Sequence, residues 1–307
     1  MSKLSNMGDM GDMGNLGYVG AGGVGTSVLP DRVNLPFNTA SARTWNKDTR
    51  AWEPHRHVDK STGDKVTTGE LANVPTIDNK WRNRDWQGRW AAWLVVAEYA
   101  ATDWRDSITL TPSAEDKVNE ELDALSRAAQ DERADALGEI VAQNASYEDI
   151  MAYFLALLRI TPNSHPKMAQ LLHVAGLAGI LNSMYFKQNP AEGRTARVRP
   201  SQLRPALMPP VDIPGHPSFP SGHATQAMLM ALCIEKALPA TEKEQWQPFL
   251  QTLAGRVARN REIAGLHYSS DSEAGFELAN KVIAKLSTCG SFNALIDNAG
   301  REWSDYA

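Results

Sequence analysis

Three short stretches of the chain carry side chains suited to binding and attacking a small oxyanion. From Lys187 to Arg204 there are five bases (Lys187, Arg194, Arg197, Arg199 and Arg204) and one acid, Glu192. A charge run alone reads as a solvated loop. Arg204-Pro205 and the proline-rich run up to Pro217 shift that weighting, because prolines stiffen the chain and a stiff loop can hold guanidinium forks in place. Pro220-Ser221-Gly222-His223 then leads into the apolar run ATQAMLMALCIEKAL. Ser221 falls at a helix N-cap, where unpaired N–H groups and the positive dipole end favour a phosphate-like anion. Gly222 lets that anion approach the backbone, and His223 supplies an acid or base. Standing alone, this is an ordinary serine cap with a histidine beside it. The third stretch runs from Arg261 to Asp271. On an unbroken helix Arg261 and His267 point about 240° apart. Gly265 can end that helix with a left-handed turn and return His267 to the arginine. Asp271 can then accept a hydrogen bond from one imidazole nitrogen, leaving the other free to attack or to ligate. By itself this is a helix C-terminus with a structural histidine.

The elements that must position these residues read as helices. Spacing and start signals predict helices at about 147–160, 166–187, 222–237, 243–264 and 271–287, the last opened by a capping box over Ser270–Glu273 and the second by Ser164 ahead of Pro166. WAAWLVVAEYAA (90–101) is a further buried helix, with Trp86, Trp90 and Trp93 as its core-facing stripe. Residues 103–149 carry 13 acids against four bases, with a stripe of Val118, Leu122 and Leu125, which predicts one or two solvated amphipathic helices. No alternating strand series is visible, so the fold class is all-α, a helical bundle. Residues 1–80 form an arm, glycine-rich and then loop-rich, and residues 81–307 the catalytic domain. The first 25 residues hold eight of the 22 glycines and read as flexible. Gly20-Ala-Gly22-Gly23-Val-Gly25 matches a dinucleotide fingerprint only formally, since it lacks the flanking strand and helix.

Composition excludes more than it names. The 307 residues carry a formal charge of −5, which argues against a nucleic-acid partner. Two cysteines, Cys233 and Cys289, exclude a disulfide scaffold; the first reads as a buried thiol and the second as a free thiol near a helix end. No apolar stretch reaches the ~20 residues of a membrane span, and no signal peptide is visible, so the expected location is cytoplasmic. His55-Arg56-His57 reads as a solvated loop, and His165 and His173 as structural.

In order and spacing the three stretches resemble the superfamily that joins type 2 phosphatidic acid phosphatases, bacterial acid phosphatases and vanadium-dependent haloperoxidases, over about residues 150–288. Its pattern is Lys-x6-Arg-Pro, then Pro-Ser-Gly-His, then Ser-Arg-x5-His with an Asp four residues on. This chain has Arg197-x6-Arg204-Pro205, Pro220-Ser221-Gly222-His223, and Asn260-Arg261-x5-His267 with Asp271. Arg197 stands where the family has lysine and Asn260 where it has serine. The resemblance implies the helical bundle of that superfamily with an irregular N-terminal arm. It also implies a cage in which Arg197, Arg204 and Arg261 neutralise equatorial oxygens, Ser221 and the Gly222 N–H complete the clamp, His267 sits apically and His223 opposite. With a phosphate ester bound, His267 attacks phosphorus and His223 protonates the leaving oxygen. With vanadate as cofactor, His267 is the vanadium ligand, and hydrogen peroxide activated there with the help of His223 oxidises a halide. His216, five residues before Ser221, resembles the second histidine of algal bromoperoxidases, where fungal chloroperoxidases have phenylalanine; the plainer reading is a cap on the proline loop. The expectation is therefore a soluble vanadate-dependent haloperoxidase, with bromide ahead of chloride. A soluble acid phosphatase acting through a phosphohistidine is the alternative, and a silent oxyanion-binding scaffold the third reading. A homo-oligomer stays open.

Overall fold

The computed structural model describes residues 87–112, 115–190 and 196–306, and, as backbone alone, four short strands between residues 43 and 67. The chain divides into two units, Met1–Lys80 and Trp81–Ala307. In the first, β1 (Arg43–Asn46) pairs antiparallel with β2 (Ala51–Pro54), and β3 (Arg56–Val58) with β4 (Lys65–Thr67). The sequence predicted no strands here. Three or four residues are too few to register as an alternation, which is why these hairpins escaped it. Arg56 and His57 lie in β3 opposite Thr67 and Val66, while His55, Trp86 and the glycine-rich segment lie outside the described residues.

Among the described residues the second unit is helical throughout. Its helices are α1 (Gly88–Ala100), α2 (Trp104–Ser107), α3 (Val118–Asp131), α4 (Arg133–Ala142), α5 (Tyr147–Leu158), α6 (Pro166–Gln188), α7 (Pro200–Leu203), α8 (Gly222–Ala237), α9 (Ala240–Ile263), α10 (Ser269–Leu286) and α11 (Gly290–Tyr306). None of them is long and apolar enough to cross a membrane. α8 lies at the centre, packed on α6, α9 and α10, and buries Leu229, Met230, Cys233 and Ile234. Burial of Leu229, Met230 and Ile234 contributes about 1.5–3 kcal/mol each. Two glycines let α8 sit this close to its neighbours. A Cβ on Gly179 of α6 would lie 2.8 Å from the Gln226 side chain, and one on Gly275 of α10 would lie 2.8 Å from the Ser221 carbonyl oxygen. The second close approach draws the start of α8 against the start of α10.

The tryptophan stripe is not core. Trp90 and Trp93 are half exposed, whereas Ala92, Val95, Val96 and Tyr99 form the buried face of α1. Both stripes have helical spacing. The one with small residues allows the closer approach to α6, and the bulky indoles are left outside. α11 carried no start signal in sequence, because its cap comes from elsewhere: Glu98 of α1 accepts the Gly290 and Ser291 N–H groups at 2.8 and 3.0 Å.

Candidate active site

The C-terminus of α9 is built by a glycine. Gly265 has φ +77°, its N–H donates to the Glu262 carbonyl at 2.7 Å, and the Leu266 N–H reaches back to the Arg261 carbonyl at 3.1 Å. This paired closure ends the helix and turns His267 back beside Arg261. α10 follows immediately, opening at Tyr268, two residues before the capping box read from sequence. Asp271 is the residue that closes the first turn: its Oδ2 accepts the Tyr268 N–H at 3.0 Å and the His267 Nδ1–H at 3.2 Å. The Asp271 carbonyl in turn accepts the Ser221 N–H at 2.9 Å, so the two helix starts are tied together.

Between these ends lies a cavity of about 350 Å³. Lys187, Arg199, His216, Gly222, His223, Arg261 and His267 line its polar side, and Ile180, Met184 and Leu266 part of its apolar side. Lys187, Arg199 and Arg261 are all buried. Burial, followed by the charge of Arg199, brings the Lys187 ammonium down to about 7, and burial brings Arg199 and Arg261 to about 10. Crowding three cations into a buried pocket destabilises the ligand-free protein and prepares it for an anion. Arg261 Nη2 donates to Asn144 Oδ1 at 2.8 Å and Nη1 to the Ile140 carbonyl at 3.3 Å, while its buried Nε has no protein partner among the described residues.

The two histidines are held in opposite senses. His267 gives Nδ1–H to Asp271, so Nε2 keeps its lone pair and faces Arg199 Nη1 at 3.4 Å. Burial, against the pull of Asp271, brings His267 down to about 3. Burial pushes the Asp271 carboxyl up, but the His267 hydrogen bond and the charges around it outweigh that and leave it below the usual range. The pair is neutral imidazole beside carboxylate. His223 instead gives Nε2–H to the Gln143 carbonyl at 2.9 Å, so the lone pair is on Nδ1. Burial and then the charge of Arg261 push it well below its ordinary value. Asn260, where the superfamily pattern has serine, donates to the Gln143 side chain at 3.0 Å and to Glu139 at 2.9 Å, fixing the end of α4 that holds His223.

Two of the arginines expected in the cage are elsewhere. Arg204 reaches Asp123 at 2.6 Å and Ser126 at 3.0 Å on the surface of α3, a partly exposed ion pair outside the cavity. Arg197 bridges Asp271 Oδ1 at 2.7 Å and Glu121 Oε2 at 2.8 Å, on the side of Asp271 away from His267. Lys187 and Arg199 take up the positions in the cavity. Lys187 Nζ donates to the Pro217 and Ser218 carbonyls at 2.7 and 2.8 Å, and Arg199 spans His216 Nδ1 and the Leu266 carbonyl at 3.1 and 2.9 Å. The signal was present, since Arg199-Pro200 is a second Arg-Pro pair and Lys187 an authentic lysine upstream of it. The segment between them is longer than the six residues of the pattern, which Arg197 and Arg204 match. Ser221 caps α8 with its hydroxyl on the Ala224 N–H and is fully buried; Gly222, its neighbour, lines the cavity. His216 lines it too, beside Arg199. His173 is structural, with its Nδ1 on the Tyr147 hydroxyl at 3.0 Å.

Among the described residues no group of three or more His, Cys, Asp or Glu is placed to hold a metal ion. No protein-family model matches the chain, and no curated protein matches it. Among solved structures the chain is similar to the first transmembrane PAP2 type phosphatidylglycerolphosphate phosphatase from Bacillus subtilis. The two share 18% identity over 66% of this chain and 96% of that one, with a TM-score of 0.41. A likeness of that size carries no functional inference.

Proposed function

We propose that the cavity binds a tetrahedral oxyanion and that the protein hydrolyses phosphate monoesters through a phosphohistidine. The observation that carries this reading is His267, whose Nδ1–H is fixed by Asp271 while its bare Nε2 borders a cavity lined by Lys187, Arg199 and Arg261. The three cations and the Gly222 N–H at the start of α8 neutralise the phosphoryl oxygens. His267 Nε2 attacks phosphorus as the ester P–O bond breaks. The new N–P bond leaves positive charge on the ring, which Asp271 stabilises through Nδ1–H. A bound dianion raises the affinity of His223 for a proton, and its Nδ1 delivers that proton to the leaving oxygen. Water then attacks phosphorus, Nδ1 takes the water's proton, and phosphate and neutral His267 are released.

A second reading, vanadate-dependent halide oxidation with bromide ahead of chloride, is favoured by His216 lining the cavity beside Arg199. The residues fit vanadate: three buried cations, an Arg261 Nε without a partner among the described residues, and His267 Nε2 as a ligand atom. Bound there, vanadate supplies the activation of hydrogen peroxide toward the halide. One assay separates the two. Hydrolysis of an aryl phosphate, blocked by orthovanadate, supports the phosphatase. Bromination of a phenolic dye dependent on vanadate and peroxide, without phosphate release, overturns it in favour of the second reading.

A further inference from the structure

We infer that Arg197, anchored by Glu121, is a positioning residue that clamps the Asp271 carboxylate and so keeps His267 Nε2 bare toward the cavity. The kinetic arm of this inference rests on the phosphatase reading; its spectroscopic arm does not. Asp271 divides its oxygens. Oδ2 serves the His267 Nδ1–H and the Tyr268 N–H, while Oδ1 accepts Arg197 Nη1 at 2.7 Å. A carboxylate held on both oxygens cannot turn about its Cβ–Cγ bond without breaking a charge-assisted hydrogen bond. Arg197 is itself fixed on three sides. Nη1 also donates to Ser270 Oγ at 2.7 Å, Nη2 donates to Glu121 Oε2 at 2.8 Å, and the guanidinium lies 3.9 Å over the Tyr268 ring. Glu121 reaches this place from α3, and its Oε1 accepts the Ser269 hydroxyl and the Ser270 N–H at 3.0 and 2.8 Å. The planar fork is therefore used at both ends and on its face, which a lysine ammonium cannot reproduce.

The consequence reaches the nucleophile. A neutral imidazole has two tautomers, and the one with bare Nε2 is selected by the acceptor at Nδ1, with Arg199 Nη1, a donor 3.4 Å from Nε2, favouring the same form. Without Arg197, Oδ1 is a buried anionic oxygen lacking its cation, so the carboxylate turns or takes up a proton. Either change loosens the bond to Nδ1–H and lets the Nε2–H tautomer compete. A purely structural ion pair would hold the start of α10 without affecting which ring nitrogen carries the proton.

The test uses the full chain labelled with nitrogen-15 histidine, with His267 assigned through His267→Gln. Wild type is expected to show Nδ1–H and a bare Nε2. Arg197→Gln is expected to show the Nε2–H form as well, and Arg197→Lys an intermediate mixture. With an aryl phosphate, Arg197→Gln should lower kcat about 10- to 100-fold with KM little changed, the range for an outer partner of a catalytic group. A single wild-type tautomer in a folded Arg197→Gln protein overturns the inference, as does unchanged kcat. If Arg197→Gln does not fold, Glu121→Gln, which loosens Arg197 without removing it, gives the same readout at smaller amplitude, and its failure to move the tautomer overturns the clamp. If wild type hydrolyses no phosphate ester, the functional reading falls while the tautomer comparison still decides this one.

Discussion

Replacing Lys187 with methionine is expected to stabilise the ligand-free protein and to weaken its response to an oxyanion. The Lys187 ammonium is buried and brought down to about 7 from 10.5. Keeping its proton at or below pH 7 costs about 5 kcal/mol relative to the unfolded chain, at about 1.4 kcal/mol per pH unit between those values. Methionine removes that cost and keeps much of the apolar stem. The Pro217 and Ser218 carbonyls lose their donor, an offset of about 1–3 kcal/mol. The net gain is about 2–4 kcal/mol. Its pH dependence has a definite sign. Between pH 7 and 10.5 the unfolded chain holds a proton that the folded one has given up, so wild-type stability rises with pH and its deficit against Lys187→Met shrinks. Orthovanadate at a hundred times its Kd stabilises wild type by about 2.7 kcal/mol. Loss of one charge-assisted hydrogen bond, about 1.5–3 kcal/mol, weakens binding at least tenfold and leaves the variant below about 1.5 kcal/mol at the same concentration. Urea denaturation followed by circular dichroism at pH 7 and pH 10, with and without orthovanadate, measures every term. A variant less stable than wild type at pH 7, with its vanadate response intact, would show that Lys187 is neither a destabilising buried cation nor an oxyanion ligand.

Three other outcomes follow from the same geometry. Arg199→Gln should lose oxyanion binding, measured by vanadate titration, whereas Arg204→Gln should keep it and change stability by no more than about 1 kcal/mol, since it breaks a partly exposed ion pair and its neighbouring hydrogen bond to Ser126. Gly265→Ala places a side chain at φ +77° with its Cβ 3.1 Å from Leu207 Cβ, so the unfolding midpoint should fall by at least ~1 kcal/mol equivalent and kcat should drop as His267 shifts. Gly275→Val drives a side chain into the Ser221 carbonyl and the Ala224 methyl, separating the two helix starts; it should be destabilised by about 1–3 kcal/mol in chemical denaturation and lose activity in excess of that.

The helices around the site were legible because their signals are local. Pro166 at the first turn of α6, Ser221 ahead of α8 and Gly265 behind α9 each act on their own backbone, and the structure uses each of them there. His223, His267 and Asp271 were legible for the same reason, being fixed to helix ends whose geometry is set within a few residues. The cations were harder. Arg197, Arg199 and Arg204 lie within eight residues, and which of them faces the cavity depends on the distant acids Glu121 and Asp123 of α3, which take up Arg197 and Arg204. Arg199 is left to the cavity because its fork meets carbonyls and imidazoles instead of a carboxylate. α11 and the exposure of Trp90 and Trp93 failed for a related reason: the cap of the former is Glu98, and the burial of the latter is decided by how closely α1 approaches α6.

In the proposed reaction His267 Nε2 is the atom that takes the phosphoryl group. Rapid acid-free quenching during turnover of an aryl phosphate, followed by peptide mass spectrometry, tests it directly. The expected result is a phosphoryl group on His267 that vanishes in His267→Ala together with turnover. Turnover with the phosphoryl group on His223, or on no residue while His267→Ala remains active, would contradict it.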